Sequence, residues 1–330
     1  MKNESLRNYK MDNMKALLIY MVVFGHLLEC FGGRGKLFLY YTIYMFHMPA
    51  FVYVTGYFSR TNPERLIKKT FYTYAIYQIL YLLFQRFYLK QENQIQFTTP
   101  YWLLWYLLSL CWWMLLLQII DWKEFSKKTI LGGVGLLALI AGFDKSIGYY
   151  MSLSRTIVLL PFFVLGHYRV QEHVKNYRVL IGCTAVIALS ECVLWAMIEK
   201  MKSSWLYYAA PYGKGGGTVW MRAATLFMAY VWINLLLMVV PDRKMKLIST
   251  LGQHTLPVFL IHGFIVKGIA RESALCGSEV QNILISIILA GVICIGIGNQ
   301  WMERMLHCTL SSEGLESGMK RIVQWVKKKY

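Results

Sequence analysis

Long apolar runs dominate the chain, and they recur with only short polar connections between them. Each run of about 18–25 residues with few charges reads as one helix across a hydrocarbon core about 30 Å thick. That reading predicts ten spans, at 14–31, 37–58, 70–89, 101–120, 130–147, 153–170, 178–198, 219–240, 251–270 and 282–303. The fifth and sixth carry Asp144, Lys145 and Arg155 near their shared end, which makes them candidates to be short, tilted or partly re-entrant. The final residues differ in kind: cations alternate there with Ile322, Val323, Trp325 and Val326, the pattern of an amphipathic helix lying on an anionic leaflet. The expected organisation is an all-α polytopic membrane domain over 1–310 and a basic amphipathic cytoplasmic tail over 311–330.

Composition agrees with this class and excludes others. A chain of 330 residues with 57% hydrophobic and 16% charged side chains is no ordinary soluble globule. Its 35 Lys and Arg against 17 Asp and Glu give a net charge of +18. Such a balance suits nucleic acid, but a nucleic-acid binder does not place most of its length in lipid-length apolar runs. Dividing the cations over the ten-span order puts about 23 on the side of the two termini and about 12 on the other, which makes the terminal side cytoplasmic by the positive-inside rule. No small-residue cleavage pattern follows the first span, so it is expected to remain as an anchor. The seven cysteines show neither CxxC nor Cys/His ligand spacing, and no soluble-type cofactor or metal motif is present. Gly215, Gly216 and Gly217 read better as a flexible hairpin than as an anion nest.

Ionisable residues concentrate where lipid tolerates them least, in residues 12–59. Lys15 and His26 are eleven residues apart, so on one helix they lie within about 20° of a common face and about 16 Å apart in height. Asp12 and Glu29 fall on the same side, and the resulting polar stripe must face protein or water. The geometry puts His26 near mid-depth, with His47 at a similar level on the second helix. Pro49 frees the carbonyl of Met45 and Gly56 permits close backbone approach, features suited to a cavity wall.

These residues also carry a resemblance. Lys15-x10-His26 after Asp12, FHMPAFVYVTGYF at 46–58, Arg65-x-x-Lys68, Arg155 followed by PFFVLG at 161–166, and LGQHTLPVFLIHGF at 251–264 together resemble the membrane acyltransferase family 3. PYWLLWYLLSL at 100–110 is most similar to its stand-alone members named after fucose 4-O-acetylase. The chain departs from the family pattern in having Lys at 15, Thr at 55 and Lys at 68, and the SGNH-type domain fused to some members is not expected in it.

The resemblance implies transfer of an acyl group, usually acetyl, from cytoplasmic acyl-CoA (acetyl-CoA) to a sugar hydroxyl of a cell-envelope glycan or lipid-linked precursor. It makes Lys15 and His26 the essential pair. Chemistry agrees: a neutral imidazole kept basic by Glu29 or Asp12 suits a general base for an alcohol, and Lys15, Arg65, Lys68 and Lys69 suit the phosphates of CoA. His47, Arg155, His262 and Trp105 are the candidates for the acceptor side. Against these stand plainer roles: helix-pairing histidines, positive-inside cations, and an aromatic belt formed by Tyr101, Trp102, Trp105 and Tyr106. The expected setting is a bacterial plasma membrane, with membrane lipids and a second copy of the chain as further partners, no metal and no nucleic acid. A transporter or flippase for a glycan precursor is the alternative class, although it predicts internal repeats that the sequence lacks.

Overall fold

The computed structural model describes residues 7–59, 63–91, 96–122, 125–169, 176–213 and 215–310, and among them the protein is helical without a strand. The 311–330 tail lies outside the described residues. In chain order the elements are α1 (Tyr9–Leu28), α2 (Arg34–Tyr57), α3 (Pro63–Leu83), α4 (Trp105–Trp122), α5 (Lys127–Ile140), α6 (Leu153–His167), α7 (Tyr177–Met197), α8 (Val219–Val239), α9 (Lys246–Gln253), α10 (Thr255–Arg271), α11 (Glu279–Ile297), α12 (Gln300–Met305) and α13 (His307–Leu310). A π-helical turn at Phe84–Tyr88 extends α3, and 3-10 turns precede α4 and α6. Seven helical segments among the described residues are long and apolar enough to cross a membrane: α1, α2, Trp102–Ile120, Tyr150–His167, α7, α8 and α11.

Each expected span has a helical counterpart, and two differ from expectation in an informative way. The fifth stops at Ile140, because 141–149 is a loop in which Asp144 accepts hydrogen bonds from the Ser146 amide and hydroxyl. Its 14 residues rise only about 21 Å. The ninth is broken at His254 into α9 and α10. Pro257 explains the break, since a continuous helix would require from it an amide donor to the Gln253 carbonyl, whereas in the first turn of a new helix that donor is not needed.

The first helix is the axis. Of its eighteen-residue apolar window 72% is buried, against 17% for α7. It packs on α2, α9, α10 and α11. Its start is clamped by Asn13, whose amide donates to the carbonyls of Pro241 and Arg243 while its oxygen accepts from Ser249. Gly252 lets α9 lie directly on the Asp12 carbonyl. Pairing of α2 with α6 rests on two reciprocal glycines: a methyl on Gly56 would overlap the Phe163 carbonyl, and one on Gly166 would overlap that of Tyr53. Helices brought this close gain van der Waals contact where lipid offers no hydrophobic drive. At the periphery, Leu189 of α7 and Ile288 of α11 are two-thirds exposed, which fits apolar faces that meet lipid.

Candidate active site

A cavity of about 310 Å³ opens beside the last turn of α1, with His26, Glu29, Tyr44, His47, Trp105 and Arg155 in its wall. His26 is thus near the end of its helix, because α1 begins at Tyr9 and Glu29 is already its C-cap. Three elements converge on the imidazole. Tyr40, Tyr44 and His47 are spaced i, i+4, i+7 on α2 and so share a face. The 3-10 turn before α4 sets the Trp102 ring 4.4 Å from that of His26, with the Trp102 backbone held at a φ of 34°. From α10, His262 stacks on His26 with ring centroids 5.5 Å apart.

Hydrogen counting assigns the tautomer of His26. The Tyr44 hydroxyl lies 2.5 Å from Glu29 Oε1, and an ionised carboxylate only accepts, so tyrosine donates there. His26 Nδ1 lies 3.2 Å from the same oxygen and 3.0 Å from the Tyr44 oxygen. Both neighbours therefore accept, Nδ1 carries the hydrogen, and the lone pair is on Nε2. Tyr207 donates to Tyr40 over 2.6 Å and Tyr40 donates to Glu29 over 3.2 Å, which completes a directed chain ending on one carboxylate. His47 and His262 are arranged differently: each spends Nδ1–H on the carbonyl one turn back, Ile43 and Val258, at 2.8 Å.

A loop supplies the remaining wall. Residues 203–213 and 215–217 fold back through tight turns, with Gly213, Gly215 and Gly217 at positive φ, and the Gly213 amide donating to the Gly217 carbonyl. Arg222 of α8 stacks on Tyr212 at 4.4 Å and donates to the Ala210 carbonyl, which fastens the loop. The glycine run serves the hairpin, and the hairpin delivers Tyr207.

A second cavity, about 390 Å³, lies at the other end of α1, around Lys15 and Lys69. Phe51, Val54, Leu107, Leu110 and Met114 make its wall apolar. Lys15 Nζ is 2.9 Å from Asp12 Oδ1 and 5.0 Å from the Phe58 ring centroid. Phe259 lines both cavities, with the Tyr106 ring 5.5 Å from it. Two compartments, a cationic mouth and an imidazole chamber, thus lie toward opposite ends of α1 with Phe259 in the wall of each.

A family model described as an acyltransferase domain matches residues 8–298. The chain belongs to membrane acyltransferase family 3. No curated protein and no solved structure matches it. The match spans both cavities and every helix from α1 to α11, so the acyltransferase domain is the helical body as a whole.

Within this acyltransferase the residues singled out by sequence separate into three groups. His26, Glu29, His47, Arg155 and Trp105 meet at the imidazole chamber, and His262 stands behind the His26 ring, outside the chamber wall. Lys15, Asp12 and Lys69 gather at the mouth, so Asp12 belongs with Lys15 and Glu29 alone reaches His26. Lys68 is exposed and outside the mouth's wall, and the side chain of Arg65 lies outside the described residues. Tyr40, Tyr44, Tyr207, Phe259 and Lys267, whose ammonium sits 4.3 Å over Trp102, escaped the sequence reading. The i, i+4, i+7 spacing of Tyr40, Tyr44 and His47 carried the signal for the first two. Among the described residues no cluster of His, Cys, Asp and Glu is arranged to hold a metal ion.

Proposed function

We propose that the protein moves an acyl group, acetyl in the simplest case, from cytoplasmic acyl-CoA to a sugar hydroxyl of a cell-envelope glycan or its lipid-linked precursor. The observation that carries this reading is the His26–Glu29–Tyr44 cluster in a chamber that shares Phe259 as a wall residue with a cationic, otherwise apolar pocket. CoA phosphates bind the Lys15 and Lys69 mouth as charge-assisted contacts, and the acylated pantetheine arm follows the apolar wall toward Phe259. Arg65 and Lys68 add positive charge on the approach.

In the chamber, His26 Nε2 takes the proton of the acceptor hydroxyl as its oxygen attacks the thioester carbonyl. The tetrahedral intermediate collapses, its carbon–sulfur bond breaks, and the leaving thiolate takes the proton back from Nε2 to give free CoA and an ester. Glu29 stabilises the imidazolium in between and holds the ring, much as a buried carboxylate does beside other histidine bases. Trp105 and His47 form the acceptor's wall.

The proposed topology is ten crossings with both termini cytoplasmic in a bacterial plasma membrane, which puts the His26 chamber toward the outside and the Lys15 mouth inside. Purified protein supplied with acetyl-CoA and a glycan acceptor should release free thiol with matching ester formation, and His26→Ala should lower turnover per folded molecule about 10² to 10⁴-fold. Near wild-type turnover in His26→Ala sinks the mechanism, and movement of a glycan precursor without acyl-CoA would favour a transporter instead.

A further inference from the structure

One charge in the chamber has no assigned task. Arg155, in the first turn of α6, lines the same cavity as His26. Its Nε donates to the Tyr207 carbonyl at 3.0 Å, and its guanidinium lies 5.0 Å from the Trp105 ring centroid and 5.3 Å from that of Tyr149. Among the described residues no carboxylate forms an ion pair with it, and its two terminal nitrogens donate no hydrogen bond. Glu29, the acid in the cavity wall, is committed to His26, Tyr40 and Tyr44.

Holding the 206–208 loop does not explain a full positive charge. Ser154 already fastens that loop through a 2.6 Å hydrogen bond to the Tyr208 carbonyl, and a neutral amide would serve Tyr207 equally. Guanidinium is always protonated in proteins, and withdrawing it from bulk water carries a desolvation cost that two aromatic faces only partly offset. Its planar fork matches an oxyacid. The donor's phosphates belong elsewhere, since Lys15 lines the other cavity and lies about 16 Å down α1 from the level of His26.

We infer that Arg155 docks an anionic group on the acceptor, so that the enzyme takes an acidic sugar, carrying a carboxylate or a phosphate ester, in preference to a neutral one. This rests on the acyl-acceptor reading of the chamber given above. With the anion on Arg155 and the sugar ring against Trp105 and Tyr149, a hydroxyl on the same sugar is turned toward His26. Arg155 is thus a specificity-determining residue.

The test is equilibrium binding of three probes, D-glucuronate, glucose 1-phosphate and glucose, to the purified full-length protein, read by tryptophan fluorescence. CoA is present throughout to occupy the Lys15 mouth. One charge-assisted contact predicts that an anionic probe binds about ten-fold to a hundred-fold tighter than glucose. Whichever of glucuronate and glucose 1-phosphate is preferred identifies a carboxylate or a phosphate as the natural group. In Arg155→Gln the preference should vanish while glucose binding stays, and Arg155→Lys should retain part of it. Equal binding of all three probes by the wild type overturns the inference, as does a preference that survives Arg155→Gln. So does an Arg155→Gln protein that loses turnover equally with every acceptor and with water while anion binding is unchanged, because that marks a role on the thioester. Binding needs no turnover, so the two readings fail separately: anion preference without acyl transfer sinks the proposed function, and acyl transfer without anion preference sinks this inference.

Discussion

Replacing Glu29 by Gln is the sharpest test of the imidazole chamber, because it keeps shape and removes one charge. The carboxylate is 3.2 Å from Nδ1 and its side chain is 28% exposed. At an effective dielectric of about 20, two unit charges at that separation attract by about 5 kcal/mol, before the desolvation of both groups is subtracted. A charge-assisted hydrogen bond in partly wet surroundings is worth about 1.5–3 kcal/mol. If the imidazolium exists only near the transition state, that amount is lost from the barrier and turnover falls about 10 to 10²-fold. Should the new amide turn its NH₂ toward Nδ1, the ring takes the wrong tautomer and the loss approaches about 10⁴-fold. The assay is thiol release with ester formation at saturating acetyl-CoA, per mole of protein that elutes as a single folded species. Turnover within two- or three-fold of wild type would refute the directed chain onto Glu29 and leave His26 without its partner.

The remaining predictions separate the other parts. Lys15→Ala should weaken CoA binding about ten-fold or more without changing glucose binding, read by calorimetry with each ligand alone, and unchanged CoA affinity removes the donor role of the mouth. Phe259→Ala removes a ring that lines both cavities, so uncoupled hydrolysis of acetyl-CoA should rise relative to transfer, and an unaltered ratio means that Phe259 is no partition. Gly56→Ala should lower stability by about 1–3 kcal/mol, since a methyl there overlaps the Phe163 carbonyl, and a thermal melt in detergent equal to wild type would contradict the close α2–α6 contact. A cysteine placed at Arg34 should react with impermeant reagent only from outside the cell, and labelling only from inside reverses the topology.

How far the chain was legible depended on the range of the physics involved. Apolar period and length are local, so the long helices were foreseeable from their own residues, whereas the short α12 and α13 were not. What ended a helix was often not local. The span through 251–270 reads as continuous on hydropathy, yet Pro257 and the seat of Gly252 on the Asp12 carbonyl split it, and only the proline is visible without the partner helix. The same limit applied to the site. Glu29 and Asp12 were equivalent beside His26 on a helical wheel, because angle alone does not register that one is three residues away and the other fourteen. Height along the axis decided it, with Asp12 held at Lys15 and Glu29 at His26.

Residues that arrive from distant segments left no such trace. Tyr207 comes from a hairpin shaped by glycines, Phe259 from beyond the α9–α10 break and Arg155 from a helix whose start is set by left-handed residues at 151 and 152. A polar side chain in an apolar span signals that some partner must exist, since an unsatisfied charge or hydrogen-bonding group in hydrocarbon is costly. It does not say which. For His26 the partner is Glu29 of the same helix end, joined by tyrosines from α2 and the hairpin. For Arg155 the described residues supply one carbonyl and two aromatic faces but no opposite charge. By the reasoning that places Glu29 beside His26, the missing charge belongs to what enters the chamber.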